Sequence, residues 1–226
     1  MFSYNKNELT SLAGTRESVF SYSAYNVTAV GYPVNSLFSY RYAGLDPTNG
    51  DALVYNSKGE KVTNVSSVDD LVYSGTRDPK YTASLKNFFS IYDFDFSFMF
   101  VYYGGHVLRD VVAGYMAGAP SQNLNRKALN HWRQPGDENI PGVAPAFNKS
   151  IYYTTEQAWY SADVHVKKAD YIKLRDISIG YNLPKKWLRK YAIESAAITC
   201  QISNVWWWAA NGDIDPEAYT TVGYGR

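Results

Sequence analysis

Residues 94–103 read Phe94-Asp95-Phe96-Ser97-Phe98-Met99-Phe100-Val101-Tyr102-Tyr103, and every even position is aromatic. A strand shows alternate side chains to opposite faces, so this stretch makes one unbroken aromatic stripe with Asp95 and Ser97 on the reverse. A stripe that apolar needs an apolar partner, which is either the core of a sandwich or lipid. About ten residues is also the length a tilted strand needs to cross the hydrocarbon core of a bilayer.

The neighbouring segments repeat the pattern. From Lys80 to Ile91 the odd positions are apolar except Asn87, and the even positions are polar except Phe88. Tyr92-Asp93 then makes a tight reversal, which predicts a hairpin with a short turn. In 177–183, Ile177, Ile179, Tyr181 and Leu183 alternate with Ser178, Gly180 and Asn182. In 196–202, Ala196, Ile198, Cys200 and Ile202 alternate with Ala197, Thr199 and Gln201. Tyr171-Ile172-Lys173-Leu174 runs in the opposite phase, so a bulge is expected near Arg175-Asp176.

The connections are unequal. Asp93 joins two strands almost directly, and 183–195 joins two more through Pro184 and a basic helical turn, Lys185 to Lys190. At the other end, 104–169 is long and rich in Gly, Pro and Asn. Short turns at one end and long loops at the other are the habit of outer-membrane barrels. On that reading 80–92 and 170–183 run one way and 94–103 and 196–206 the other.

Composition narrows the classes. The 226 residues are 16% aromatic and 19% charged, with a net charge of +1. Twenty-one Tyr against three Met favour a β-rich chain with interfacial or sugar-facing surfaces. Near-neutral charge argues against nucleic-acid binding, whose affinity is mostly phosphate neutralisation. The single Cys200 excludes an internal disulfide, and its strand phase marks it as a packing residue. No run of eighteen uncharged apolar residues occurs, so a transmembrane helix is not expected. The first residues, Met1-Phe2-Ser3-Tyr4, start inside a strand pattern without a secretion signal.

Several motifs, in order, resemble the C-terminal part of the SusC/RagA-type TonB-linked outer-membrane transporters of Bacteroidetes. They begin with Ser3-Tyr4-Asn5-Lys6-Asn7-Glu8, then Pro33-Val34-Asn35-Ser36-Leu37-Phe38-Ser39-Tyr40 continuing to Gly44-Leu45-Asp46-Pro47, with Asn49-Gly50-Asp51 behind it. Asp78-Pro79-Lys80-Tyr81-Thr82 and Phe94-Asp95-Phe96-Ser97-Phe98 follow. Asp170-Tyr171-Ile172-Lys173-Leu174-Arg175-Asp176-Ile177 leads to Tyr181-Asn182-Leu183-Pro184, and Asp213-Ile214-Asp215-Pro216-Glu217 comes last. The chain departs from the family at Ile202-Ser203-Asn204-Val205-Trp206, where a different closing sequence is usual.

The resemblance implies an all-β fold: an antiparallel transmembrane β-barrel segment, an open curved sheet with long extracellular loops. It places 1–226 in the C-terminal part of the barrel, with signal peptide, TonB box, plug, first barrel half and closing strand absent, so that the chain reads as a fragment. It implies an outer-membrane transporter that imports glycan oligomers or peptides. Its partners would be a SusD-like surface lipoprotein over the extracellular mouth, the TonB complex through the absent N-terminal part, and outer-membrane lipid. No enzyme activity, catalytic residue, metal or cofactor is expected. The alternative is a soluble β-sandwich that binds carbohydrate.

Individual side chains sort accordingly. Phe94, Phe96, Phe98, Phe100 and Tyr102 are expected to face lipid. Trp206, in phase with Ile202, fits an aromatic belt, whereas Trp207 would face the lumen. Trp207, Trp159 and Tyr160 are weak candidates for substrate stacking, because aromatic faces stack on sugar rings. His106, His131 and His165 have no ligand spacing and read as structural. Asp46 to Asp51 has calcium-type oxygens without the EF-hand spacing, and reads as a turn. Asp213, Asp215 and Glu217 lie in one loop and shape it rather than form a glycosidase pair. Lys185, Lys186, Arg189 and Lys190 read as a solvated basic turn.

Overall fold

The computed structural model of the chain describes residues 1–12, 22, 29–110, 129–147 and 153–212, with backbone alone at 153–156. In chain order the strands are β1 (Phe2–Tyr4), β2 (Ser36–Leu45), β3 (Ala52–Tyr55), β4 (Lys61–Val62), β5 (Leu71–Thr76), β6 (Tyr81–Ile91), β7 (Phe94–Gly104), β8 (Val107–Arg109), β9 (Val166–Lys168), β10 (Tyr171–Asn182) and β11 (Ala197–Ala209). Short helices run over Tyr153–Tyr160 and Lys185–Leu188. The chain forms two units: one of 1–6, 79–106 and 168–218, the other of 7–78, 107–167 and 219–226.

The first unit is a single antiparallel sheet in the order β1-β6-β7-β10-β11. It is open, with β1 and β11 as its edges among the described residues. The period-two segments are the strands. Ile91 pairs with Phe94 across a two-residue turn, so Tyr92 (φ 54°) and Asp93 alone reverse the chain. The expected bulge is present. Leu174 faces Phe100 and Asp176 faces Met99, so Arg175 is the extra residue on β10. A single inserted residue reverses the phase of everything behind it, which puts Ile172 and Leu174 on the same face as Ile177 and Ile179.

The register also fixes where the connections leave. Tyr4 and Gly104 both pair with Tyr81, and Tyr103 pairs with Tyr171. The chain segments 5–80 and 105–170 therefore leave at one end of the sheet, and the short links 92–93 and 183–196 at the other. The asymmetry inferred from loop lengths is a property of the fold.

The second unit is built from those two long segments. Its four-stranded sheet has the order β4-β3-β2-β5. β2 does not alternate: Ser36 to Tyr40 are all buried. Phe38, Tyr40, Val54 and Leu71 form one core cluster, and Leu45, Ala52, Trp132, Val143 and Trp159 another. Polar groups around Ser39 are satisfied locally, as burial demands. Ser74 Oγ donates to Ser39 Oγ at 2.7 Å, and the Arg109 guanidinium donates to the Phe38 carbonyl at 2.7 Å and to Ser39 Oγ at 3.1 Å. Burial, with Arg77 as a second cation nearby, lowers Arg109 to a pKa of about 10. It stays charged at neutral pH.

The Asp46–Asp51 stretch is a turn between β2 and β3. Asp46 Oδ1 accepts from the Thr48 amide at 2.8 Å, Asn49 Oδ1 accepts from the Asp51 amide at 2.9 Å, and the Gly50 amide reaches the Asp46 carbonyl at 2.8 Å. Gly50 has φ 73°, and the Trp132 indole packs on its Cα where a side chain would stand. Both facts demand glycine. β8 and β9 pair with each other, and the Asp110 amide donates to the His165 carbonyl at 2.8 Å.

Candidate functional site

The five-stranded sheet has two chemically different faces, and register assigns every side chain to one of them. On one face of β7 stand Phe94, Phe96, Phe98, Phe100 and Tyr102. Opposite them on β6 are Ile91, Phe89, Asn87, Leu85 and Ala83, and on β10 Tyr181, Ile179, Ile177, Leu174 and Ile172. β11 adds Ile198, Cys200, Ile202, Trp206 and Trp208. Asn87 is the single strongly polar member of β6, β7, β10 and β11 on this face.

This face is not covered. Leu85 is 57% exposed, Ile202 58% and Ile198 66%. Fully burying one such side chain is worth about 1.5–3 kcal/mol, so the face as a whole leaves a large driving force unspent in water. Among the described residues of this unit, nothing packs over the face to make the sandwich that the sequence left open. Aromatic residues with polar tips gather near its ends: Tyr4, Tyr81, Tyr102 and Trp208 at one, Tyr181 at the other. The middle is mainly Phe, Leu and Ile. β7 has 11 residues. At about 3.3 Å per residue and a tilt of about 40°, that length projects to about 28 Å, close to the apolar band of a barrel wall.

The reverse face is polar. Thr82, Ser84, Lys86 and Ser90 on β6 stand beside Asp95 and Ser97 on β7, and Ser178, Gly180 and Asn182 on β10. Asp95 accepts from Ser90 Oγ and from Asn182 Nδ2, the latter at 2.8 Å. Asp176 accepts from Ser203 Oγ at 2.7 Å. A cavity of about 190 Å³ lies over Asp95, Ser97, Ser178 and Thr199, where Gly180 contributes no side chain.

The stacking candidates fall in different places. Trp207 is on the polar face opposite Lys173 and is half-buried, while Trp206 stands on the apolar face opposite Leu174. Trp159 is a core residue of the second unit, 7% exposed, with His165 edge-on at 4.3 Å and Tyr42 at 5.5 Å. Its faces are occupied by protein, and Tyr160 beside it is half-buried. His165 is buried in that same contact, and His131 stacks on Phe147 at 4.1 Å. Cys200 is exposed on the apolar face beside Ile179 rather than packed under other side chains. Asp213, Asp215 and Glu217 lie outside the described residues. The sequence reading missed Arg109 and Lys173, the buried cations, because burial of a charge leaves no period in the sequence.

A sheet with one uncovered apolar face, one polar face and all its long connections at one end is a piece of membrane β-barrel wall. The chain is 28% identical over 178 residues to a TonB-dependent receptor of Formosa agariphila, a match that covers 74% of this chain and 16% of that one. No protein-family model matches it. Its fold matches the solved RagAB peptide importer in the open-open state with a TM-score of 0.68 at 22% identity, over 96% of this chain and 23% of that one. The closed-closed state gives a TM-score of 0.69 at 22% identity, over 100% of this chain and 25% of that one. The resemblance to a segment of SusC/RagA-type TonB-dependent proteins that the motifs carry is borne out, and with it the outer-membrane location. The chain spans about a sixth of the curated relative, which is 16% of its length.

Proposed function

We propose that this chain forms part of the C-terminal wall of a TonB-dependent outer-membrane transporter. Phe94, Phe96, Phe98, Phe100 and Tyr102 face lipid, and the Asp95 side of the sheet faces the lumen. The long segments 5–80 and 105–170 are extracellular, and the links at 92–93 and 183–196 are periplasmic. The transporter imports oligomers, glycan or peptide, under a SusD-like lipoprotein lid, with energy delivered by TonB through a part of the protein other than this chain. No covalent chemistry is performed, so no residue is catalytic and no cofactor is needed. Trp207, on the lumen side, is the aromatic best placed to meet cargo.

The observation that carries this reading is the uncovered apolar face with a polar face directly behind it. The likeness in fold to the RagAB peptide importer supports keeping peptides beside glycans as cargo. The test is site-directed spin labelling of the transporter carrying this chain, reconstituted in liposomes. Labels at 96 and 98 should be accessible to oxygen and shielded from a water-soluble nickel chelate, and labels at 95 and 97 the reverse. Equal accessibility on both faces would sink the barrel reading.

A further inference from the structure

The link between β10 and β11 is more than a turn. Lys185–Leu188 is helical and Arg189–Tyr191 continues as a tighter turn, closed by Ala192 at φ 56°. At about 100° per residue, Lys185, Lys186, Arg189 and Lys190 fall within one arc of about 140°, and Trp187, Leu188 and Tyr191 within another. All four cations are exposed. None is held in an ion pair among the described residues. Leu188 anchors the turn by burial, at 6% exposure, while Trp187 and Tyr191 are 54% and 72% exposed. Glu194 and Asp93 are the acidic residues of the two short links, so the balance at this end stays positive.

Position gives the pattern its meaning. Tyr181 and Ile198 are opposite each other and are the last apolar-face residues of β10 and β11 before the link. Lys185 follows Tyr181 by four residues, about 13 Å of chain at most. A basic arc backed by exposed Trp and Tyr, one step beyond the edge of an apolar slab, is the arrangement of an interfacial membrane anchor.

We propose that the 184–191 turn binds the headgroups of anionic phospholipid in the membrane leaflet bordering this end of the sheet. The inference rests on the reading of the apolar face as lipid-facing. It commits the basic cluster to lipid phosphate rather than to water or a protein partner.

The test uses the transporter carrying this chain, purified in nanodiscs of phosphatidylcholine with and without phosphatidylglycerol, with retained lipid counted by native mass spectrometry. Phosphatidylglycerol should be enriched over phosphatidylcholine. The quadruple variant Lys185→Gln, Lys186→Gln, Arg189→Gln, Lys190→Gln should lower that enrichment about fivefold or more. A variant with arginine at positions 185, 186 and 190 should keep it. A spin label at 98 reports separately on the apolar face. If the label at 98 lies in lipid while the two lipids are retained alike, or the quadruple variant loses nothing, this inference fails and the barrel reading stands. If the label at 98 lies in water, the barrel reading fails and takes this one with it. Displacement of the enriched lipid by inorganic phosphate would mean a free-anion site and would overturn the lipid assignment.

Discussion

Phe89 and Phe96 stand directly opposite each other across β6 and β7, their ring centroids 5.4 Å apart and their planes 18° from parallel. The pair lies on the uncovered face, where ring stacking adds to cohesion but excludes no water. In lipid the same pair is solvated by hydrocarbon. Phe96→Arg should therefore destabilise the membrane-inserted barrel by about 2–4 kcal/mol, whereas Ser97→Arg, on the lumen side, should cost far less. Denaturant titration in lipid vesicles measures both, and comparable losses would contradict the assignment of faces.

Deletion of Arg175 tests the register directly. Without the extra residue, Asp176 follows Leu174 directly. Leu174 still falls opposite Phe100 and Ile172 opposite Tyr102, so plain alternation keeps Lys173 on the polar face and Ile172 and Leu174 on the apolar one. Lys173 is 5% exposed in its present place. The deletion should therefore still insert and keep the folded, heat-modifiable band in membranes, and loss of that band would contradict the register. Arg175→Gly, which keeps the count, should insert normally.

Topology has its own check. Protease added to intact cells that express the full-length parent should cut within 105–170 and spare Lys185-Lys186. Cleavage at the basic turn from outside would invert the orientation.

Asp46 and Asp51 give a pH signature in the turn between β2 and β3. Burial raises the Asp51 carboxyl above its usual value, with Asp46 adding to the rise. An acid raised in the fold contributes most when protonated, and its contribution fades as pH climbs through the unfolded value near 3.8 towards the folded one. Asp46 has the opposite sign. The Thr48 hydroxyl and amide hold it down, so its contribution is present above 3.8 and fades as pH falls through the lower folded value. At neutral pH Asp51→Asn should tighten the turn by under about 1 kcal/mol, and Asp46→Asn should loosen it. Exchange of the Gly50 amide reports on both. A looser turn at neutral pH in the Asp51 variant would refute the sign.

The wall was legible in the sequence because a sheet with one apolar and one polar face imposes a period of two. β6, β7, β10 and β11 follow it, and the slip at Arg175 showed as a phase change. The second unit was not legible in that way. β2 is buried over five consecutive residues, so it carries no alternation, and only its motif resemblance marked it. Trp159 was a weak stacking candidate in the sequence, because an aromatic pair looks the same in a core and on a surface. The basic turn read as solvated, and its four cations are exposed, but the sequence does not show that Trp187 and Tyr191 are left outside with them.

The two-residue turn at Tyr92-Asp93 and the long segment between β7 and β10 set an order of assembly. Closing a loop of about 66 residues costs about 3 kcal/mol more chain entropy than closing one of two. The β6–β7 and β10–β11 hairpins are thus the early, local products, and the β7–β10 seam is a late one. The small β8–β9 ladder lies at the neck of that segment and brings its two ends together. On the proposed topology, the slow step in completing a sheet that sits in lipid is the gathering of a long segment that sits in water.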